Sequence, residues 1–222
     1  MWSFRYLVPP VILLLVAANA MAGVEFGGTR VIYNGAKREA AISIKNSEKE
    51  TPYLIQSWLD NNDEKNSNKV PFIVTPPLFR LDPLGENQLR IVNTEAMPQD
   101  RESLYWLNVK SIAASRRDTN RLQISVRTRI KMIYRPAALM KKAADAWKQL
   151  QVARSAEHIT FTNPSAYYIS FFSVKVGEKE LPNPLMVAPF STYSMRVPDS
   201  AVGKVSWSAI NDYGGHTEEV SQ

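Results

Sequence analysis

The sequence predicts an all-β protein made of two immunoglobulin-like β-sandwich domains. Three observations carry that prediction. Residues 121–136, RLQISVRTRIKMIYRP, place Leu122, Ile124, Val126, Thr128, Ile130 and Met132 in strict alternation with Gln123, Ser125, Arg127, Arg129 and Lys131, which is the two-residue period of a strand. Shorter runs of the same kind recur on both sides of it, broken by turn residues. The chain of 222 residues has no cysteine, so its fold rests on buried apolar surface without disulfides, and the chain is long enough to supply it.

Residues 1–22, MWSFRYLVPPVILLLVAANAMA, carry Arg5, then an apolar run over 6–18, then Ala20-Met21-Ala22. This is the anatomy of a secretory signal peptide, with cleavage expected after Ala22. The run is interrupted by Pro9 and Pro10 and falls short of the ~18 residues of a membrane span. An exported product is expected.

Strand-like runs follow at 29–33, 40–45, 53–59, 72–75, 88–92, 104–109 and 122–134. Asn34-Gly35, the polar tract 61–69, Pro76-Pro77, Asp82-Pro83 with Gly85, and residues 116–120 supply the breaks. That count and spacing suit an antiparallel immunoglobulin-like sandwich. The last run is long. At about 3.3 Å per residue it outreaches the usual five or six residues, which leaves two readings open: a strand that only covers its own domain's core, or one with spare apolar residues that can be lent to another protein.

The texture changes after Pro136. Residues 137–153, AALMKKAADAWKQLQVA, are rich in helix formers, and Leu139, Trp147 and Leu150 share one face of a short helix. This is the best boundary in the chain, and the expected domains are 23–140 and 141–222. The segment reads as a connector packing its apolar side on a neighbouring domain. Beyond it, runs at 158–162, 167–176, 192–197 and 204–210 predict a second, smaller sandwich.

Catalytic and metal motifs are missing from the sequence. His158 and His216 stand far apart, outside any ligand-spaced pattern. There is no Gly-x-Ser-x-Gly, phosphate-cradling glycine loop or His-Glu-x-x-His. The net charge of +6 fits ordinary solubility better than a nucleic-acid partner in an exported protein. A non-enzyme without cofactor or nucleotide is expected. Arg30, Glu102, Lys131, Arg135 and Asp212 lie next to strands, and each taken alone reads as a solvated charge or a modest ion pair.

Several strings resemble one family, the periplasmic chaperones of the chaperone–usher pilus pathway. The most specific is MPQDRESLYWLNVKSIA over 97–113. TRVIY at 29–33, TPPLFRLDP at 75–83, IKMIYRP at 130–136, TNPSAYY at 162–168, MVAPFS at 186–191 and SAINDYGG at 208–215 support it in the same order. The resemblance implies a boomerang of two domains with a cleft between them. It implies that Arg30 and Lys131 anchor the C-terminal carboxylate of a pilus subunit, and that Leu122, Ile124 and Val126 form a donor strand that completes the subunit. Glu102, Arg135 and Asp212 match a charged trio that bridges the domains. The implied partners are pilus subunits and an outer-membrane usher, with no nucleic acid, and self-association of the free chaperone is left open.

Strict parity places Lys131 on the face opposite Leu122, Ile124 and Val126, so a bulge, a twist or the outer side of the strand must carry it to the cleft. The polar tail HTEEVSQ predicts a ragged last strand. Two other functions compete with assembly: an adhesin or carbohydrate-binding protein using Trp58, Trp106, Trp147 and Trp207 as stacking platforms, and a glycosidase with carboxylates paired only by folding.

Overall fold

The computed structural model describes residues 23–114, 124–155, 157–182, 184–198 and 200–222; the expected signal segment and Leu122 lie outside them. The first half carries β1 (Val24–Phe26), β2 (Arg30–Asn34), β3 (Glu39–Asn46), β4 (Tyr53–Asn61), β5 (Phe72–Thr75), β6 (Leu78–Leu81), β7 (Glu86–Asn93), β8 (Ser103–Ala113) and β9 (Ser125–Arg135). One sheet runs β1-β3-β7-β5 and the other β2-β9-β8-β4-β6. Ile44, Ile55, Leu89, Ile91, Leu107, Val109 and Met132 fill the space between them, fully buried. Tyr33 and Phe72 meet edge to face at 5.3 Å between centroids, a favoured aromatic geometry.

The opening segment switches sheets. β1 is antiparallel to β3 in one sheet, while β2 is parallel to β9 in the other. The crossing runs through Gly27, whose amide donates to the Ser43 carbonyl at 3.0 Å and where a Cβ would collide with the Ser43 hydroxyl. This corrects the expectation of a purely antiparallel sandwich. β2 thus runs in the same direction as β9 and covers only its second half, from Lys131 to Arg135.

The second half contains a 13-residue run of 3-10 turns (Ala137–Gln149), then β10 (Gln151–Arg154), β11 (His158–Thr162), β12 (Ile169–Val176), β13 (Lys179–Glu180), β14 (Met186–Val187), β15 (Thr192–Arg196), β16 (Val205–Ala209) and β17 (Val220–Ser221). Sheets β10-β11-β15 and β13-β12-β16-β17, with β14 on β12, enclose a separate core. Phe161, Phe171 and Trp207 cluster there. Trp147 and Leu150 are buried in it and Leu139 packs on its margin, so the segment turns its apolar side to the second core. Tyr167 Oη donates to the Leu139 carbonyl at 2.6 Å and pins the segment's first turn.

The tail is more ordered than its composition suggests. Val220 and Ser221 pair with Trp207 and Ser206, and Lys175 Nζ meets Glu219 at 2.6 Å. Short strands such as β1, β6, β10, β13, β14 and β17 have no period long enough to stand out in sequence.

Candidate functional site

β9 changes character along its length. Ile130 and Met132 are 4% and 0% exposed and belong to the first core, whereas Ile124 and Val126, on the same face, are 69% and 59% exposed. The apolar row therefore continues beyond the core that its strand serves. The backbone is open over the same stretch. β8 pairs with β9 from Ser125 to Tyr134, but β2 pairs only with Lys131 to Arg135, so the edge of β9 preceding Lys131 has no strand beside it among the described residues.

β2 begins where that open edge ends. Arg30, its first residue, is the register partner of Lys131. Their neighbours Val31 and Met132 point into the core, so both cations project from the outer face, which resolves the parity of Lys131 without a bulge. The second domain seats them. Lys131 Nζ donates to Ser170 Oγ at 2.9 Å and Arg30 Nη1 to the Ile210 carbonyl at 3.2 Å. Ser170 and Ile210 are themselves joined, with the Ile210 amide donating to the Ser170 carbonyl at 2.8 Å.

Both charges are uncomfortable without an anion. Burial, reinforced by Arg30, lowers the Lys131 ammonium to about 8. Burial also lowers Arg30, against the pull of Asp212. The buried Nε of Arg30 has no hydrogen-bond partner among the described residues. Two partly desolvated cations with spare donors have the chemistry to hold a carboxylate, since charge-assisted bonds strengthen as water is excluded.

The trio lies just behind this pair. Arg135 Nε donates to Glu102 Oε1 at 2.6 Å, and its terminal nitrogens grip Asp212 at 2.6 and 2.8 Å. Glu102 Oε2 accepts the Tyr168 amide at 2.6 Å, and the Glu102 amide donates to the Ala166 carbonyl. Burial pushes the Glu102 carboxyl up more strongly than Arg135 pulls it down. Burial opposes the charge on Arg135, but the bonds from Asp212 and Glu102 outweigh it and hold the guanidinium above its ordinary range. Gly214, at φ +88°, brings the turn after Asp212 onto Thr29, where a side chain would clash. Three segments that the sequence leaves far apart thus form one network across the two domains.

Residues 23–140 match the family described as pili and flagellar-assembly chaperone, PapD N-terminal domain, and residues 145–221 match the pili assembly chaperone PapD, C-terminal domain. The chain belongs to the PapD-like pilus-assembly chaperones. It is 42% identical to the chaperone protein LpfB of Salmonella typhimurium, covering 95% of this chain and 94% of the relative. It is 38% identical to the chaperone protein FimC of Escherichia coli K12, over 94% and 87%. The crystal structure of the E. coli chaperone DraB superposes with a TM-score of 0.80 at 36% identity, over 90% of this chain and 95% of that one. The Salmonella enterica SafB chaperone, seen in complex with the SafA pilin, gives 0.82 at 33% identity over the same shares. The protein is a pilus-assembly chaperone, and its fold is the two-domain β fold of that family.

Sequence reasoning missed the seat of the chaperone's cations. Ser170 and the Ile210 carbonyl carry no motif of their own; Ser170 lies two residues after TNPSAYY and Ile210 lies within SAINDYGG, and only those strings could have drawn attention to them. The tryptophans divide. Trp147 and Trp207 are buried in the second core, while Trp58 and Trp106 lie half-buried on the outer face of the first domain beneath Arg127 and Arg129.

Proposed function

We propose that this chaperone works in the periplasm, captures one pilus subunit at a time by lending it Leu122, Ile124 and Val126, and holds the subunit's C-terminal carboxylate between Arg30 and Lys131. Strand addition to an open sheet edge is an established mode of recognition, chaperone–pilin complementation among its instances. The open edge of β9, ending at the first residue of β2, carries this reading. An added strand would lie in line with β2 and stop where β2 starts, so a carboxylate at its end falls beside Arg30 and Lys131. That strand must run parallel to β9, because its C-terminus lies at the Lys131 end.

The energetics are adequate. Burying Ile124 and Val126 in a subunit's groove is worth roughly 1.5–3 kcal/mol each before ordering costs. The carboxylate adds charge-assisted bonds and fixes the register of the residues upstream. Glu102, Arg135 and Asp212 would set the angle between the two units, 23–140 and 141–222, and hence the width of the cleft, with 1–22 serving as an export signal. Release to an outer-membrane usher would proceed by exchange for another strand. No catalytic step or nucleotide is needed for such an exchange, and the reading is of a non-enzyme. A complex of the relative SafB with the SafA pilin supports a pilin as the client. The adhesin alternative is weakened because two of its four tryptophans are buried.

Periplasmic co-expression with a candidate pilin tests the proposal. A stable one-to-one complex is expected, lost with Arg30→Ala or Lys131→Ala. Undiminished capture by both variants would overturn the anchor, and sugar binding by the isolated chain would favour the adhesin.

A further inference from the structure

Lys131 is the third of four cations of one parity on β9, and the fourth, Arg135, is held by Glu102 and Asp212. Arg127, Arg129 and Lys131 alternate toward the same side, about 6.6 Å apart in turn. This creates a problem for a binding site that measures register with a carboxylate. A one-residue slip of an added strand turns every side chain to the wrong face, but a two-residue slip leaves the alternation intact. A client's carboxylate on Arg129 would therefore give a mispaired complex that the groove-filling side chains do not reject.

Arg129 and Arg127 are occupied, however. Arg129 lies over the Trp106 ring at 4.5 Å and reaches Glu64 at 3.3 Å. Arg127 lies over Trp58 at 5.2 Å. It donates to Asn108 Oδ1 from Nε at 2.9 Å and from Nη2 at 2.6 Å, and reaches Asp60 at 3.3 Å. The fully buried Asn108 turns its amide to Asp60 at 2.9 Å and locks that carboxylate in place. Lys110 shares this face but sits on β8, on the side of β9 away from the open edge.

We infer that Asp60 and Glu64 are register-setting residues: they occupy Arg127 and Arg129 and leave Arg30 with Lys131 as the cation pair on this face open to a carboxylate. The inference rests on the proposed anchoring at that pair. Exposed ion pairs of this kind are individually weak, but the competing register offers a single cation already stacked and paired, against two cations with spare donors. Neutralising Glu64 removes the pairing part of that handicap at Arg129, and neutralising Asp60 does so at Arg127.

The test uses the full chain with benzoylphenylalanine at Ser125 and a synthetic peptide of alternating valine and threonine ending in a free carboxylate. Such a peptide has no side-chain preference between registers two residues apart, so the carboxylate alone sets its position. Photolysis followed by mass spectrometry reads the peptide residue captured. A single product is expected with the native residues. With Asp60→Asn and Glu64→Gln together, a second product displaced by two residues should rise up to roughly fivefold, the population change of ~1 kcal/mol, and adding Arg129→Ala should abolish it. One unchanged product in the double variant, or two products already present without it, overturns the inference. Loss of the anchor shows differently: a peptide ending in a carboxamide that crosslinks just as well, at the same position, would sink the carboxylate site itself.

Discussion

Arg30 and Lys131 are direct register partners across a parallel strand pair, so two like charges stand side by side on the outer face of the first domain. Such a pair is unfavourable in the free protein, and the second domain only partly relieves it through Ser170 and the Ile210 carbonyl. A carboxylate bound as proposed would convert the repulsion into a bridge. On that proposal the free chaperone carries a cost that capture of the right chain end would remove.

Capture should depend on pH through Lys131, whose ammonium lies at about 8. Below that value the lysine is charged and the anchor complete. As pH rises above it the free protein sheds the proton, and affinity for a carboxylate peptide should fall by up to about tenfold per pH unit. The stability of the free fold moves the other way. Between about 8 and the ordinary lysine value the unfolded chain holds more protons than the folded one, so unfolding free energy rises with pH in that window. Binding isotherms from about pH 7 to 9.5 check the first effect. Lys131→Arg should flatten the curve, because a guanidinium stays protonated there. An affinity that holds steady across this range in the native protein would contradict the assigned role.

Two isoleucines on one face of the strand from Ile124 into β9 should behave oppositely. Ile124→Asp replaces an exposed side chain and should change unfolding free energy by less than about 0.5 kcal/mol while abolishing pilin capture. Ile130→Ala empties a buried site and should cost about 2–4 kcal/mol. Denaturant titrations alongside pull-down of a co-expressed pilin separate the two. Unfolding of the Ile124 variant would assign the whole strand to its own core.

The trio should fail unequally. Removing the buried Glu102 leaves Arg135 without its inner partner and the Tyr168 amide without an acceptor, and Glu102→Ala should destabilise by about 3–5 kcal/mol. Asp212 is 41% exposed, so water replaces much of what Asp212→Ala removes and the loss should be nearer ~1 kcal/mol. Small-angle scattering should show a wider range of domain angles for Glu102→Ala. An unaltered scattering curve together with undisturbed capture would remove the trio from the mechanism.

Much of this was legible in the chain itself. The alternation running past Ile130 marked a strand longer than its core requires, and the change of texture after Pro136 marked where the second core begins. Both are local signals, since side-chain period and helix-forming composition act over a few residues. The five charges of the cation pair and the trio were visible as residues, and their expected grouping came from the resemblance of the strings around them.

The tertiary structure decided what no local pattern encodes. Strand periodicity says which residues share a face but not which strand lies alongside or in which direction, so the parallel match of Arg30 with Lys131 had to await the sheet switch at Gly27. Ser170, the Ile210 carbonyl and the Tyr168 amide became part of the site only when the second domain closed on the first, because hydrogen bonds over a few ångströms depend on positions that the chain separates by scores of residues. The chemistry of the side chains is set along the chain; folding sets their distances, and the strength of a charge–charge contact depends on distance and on the water left between.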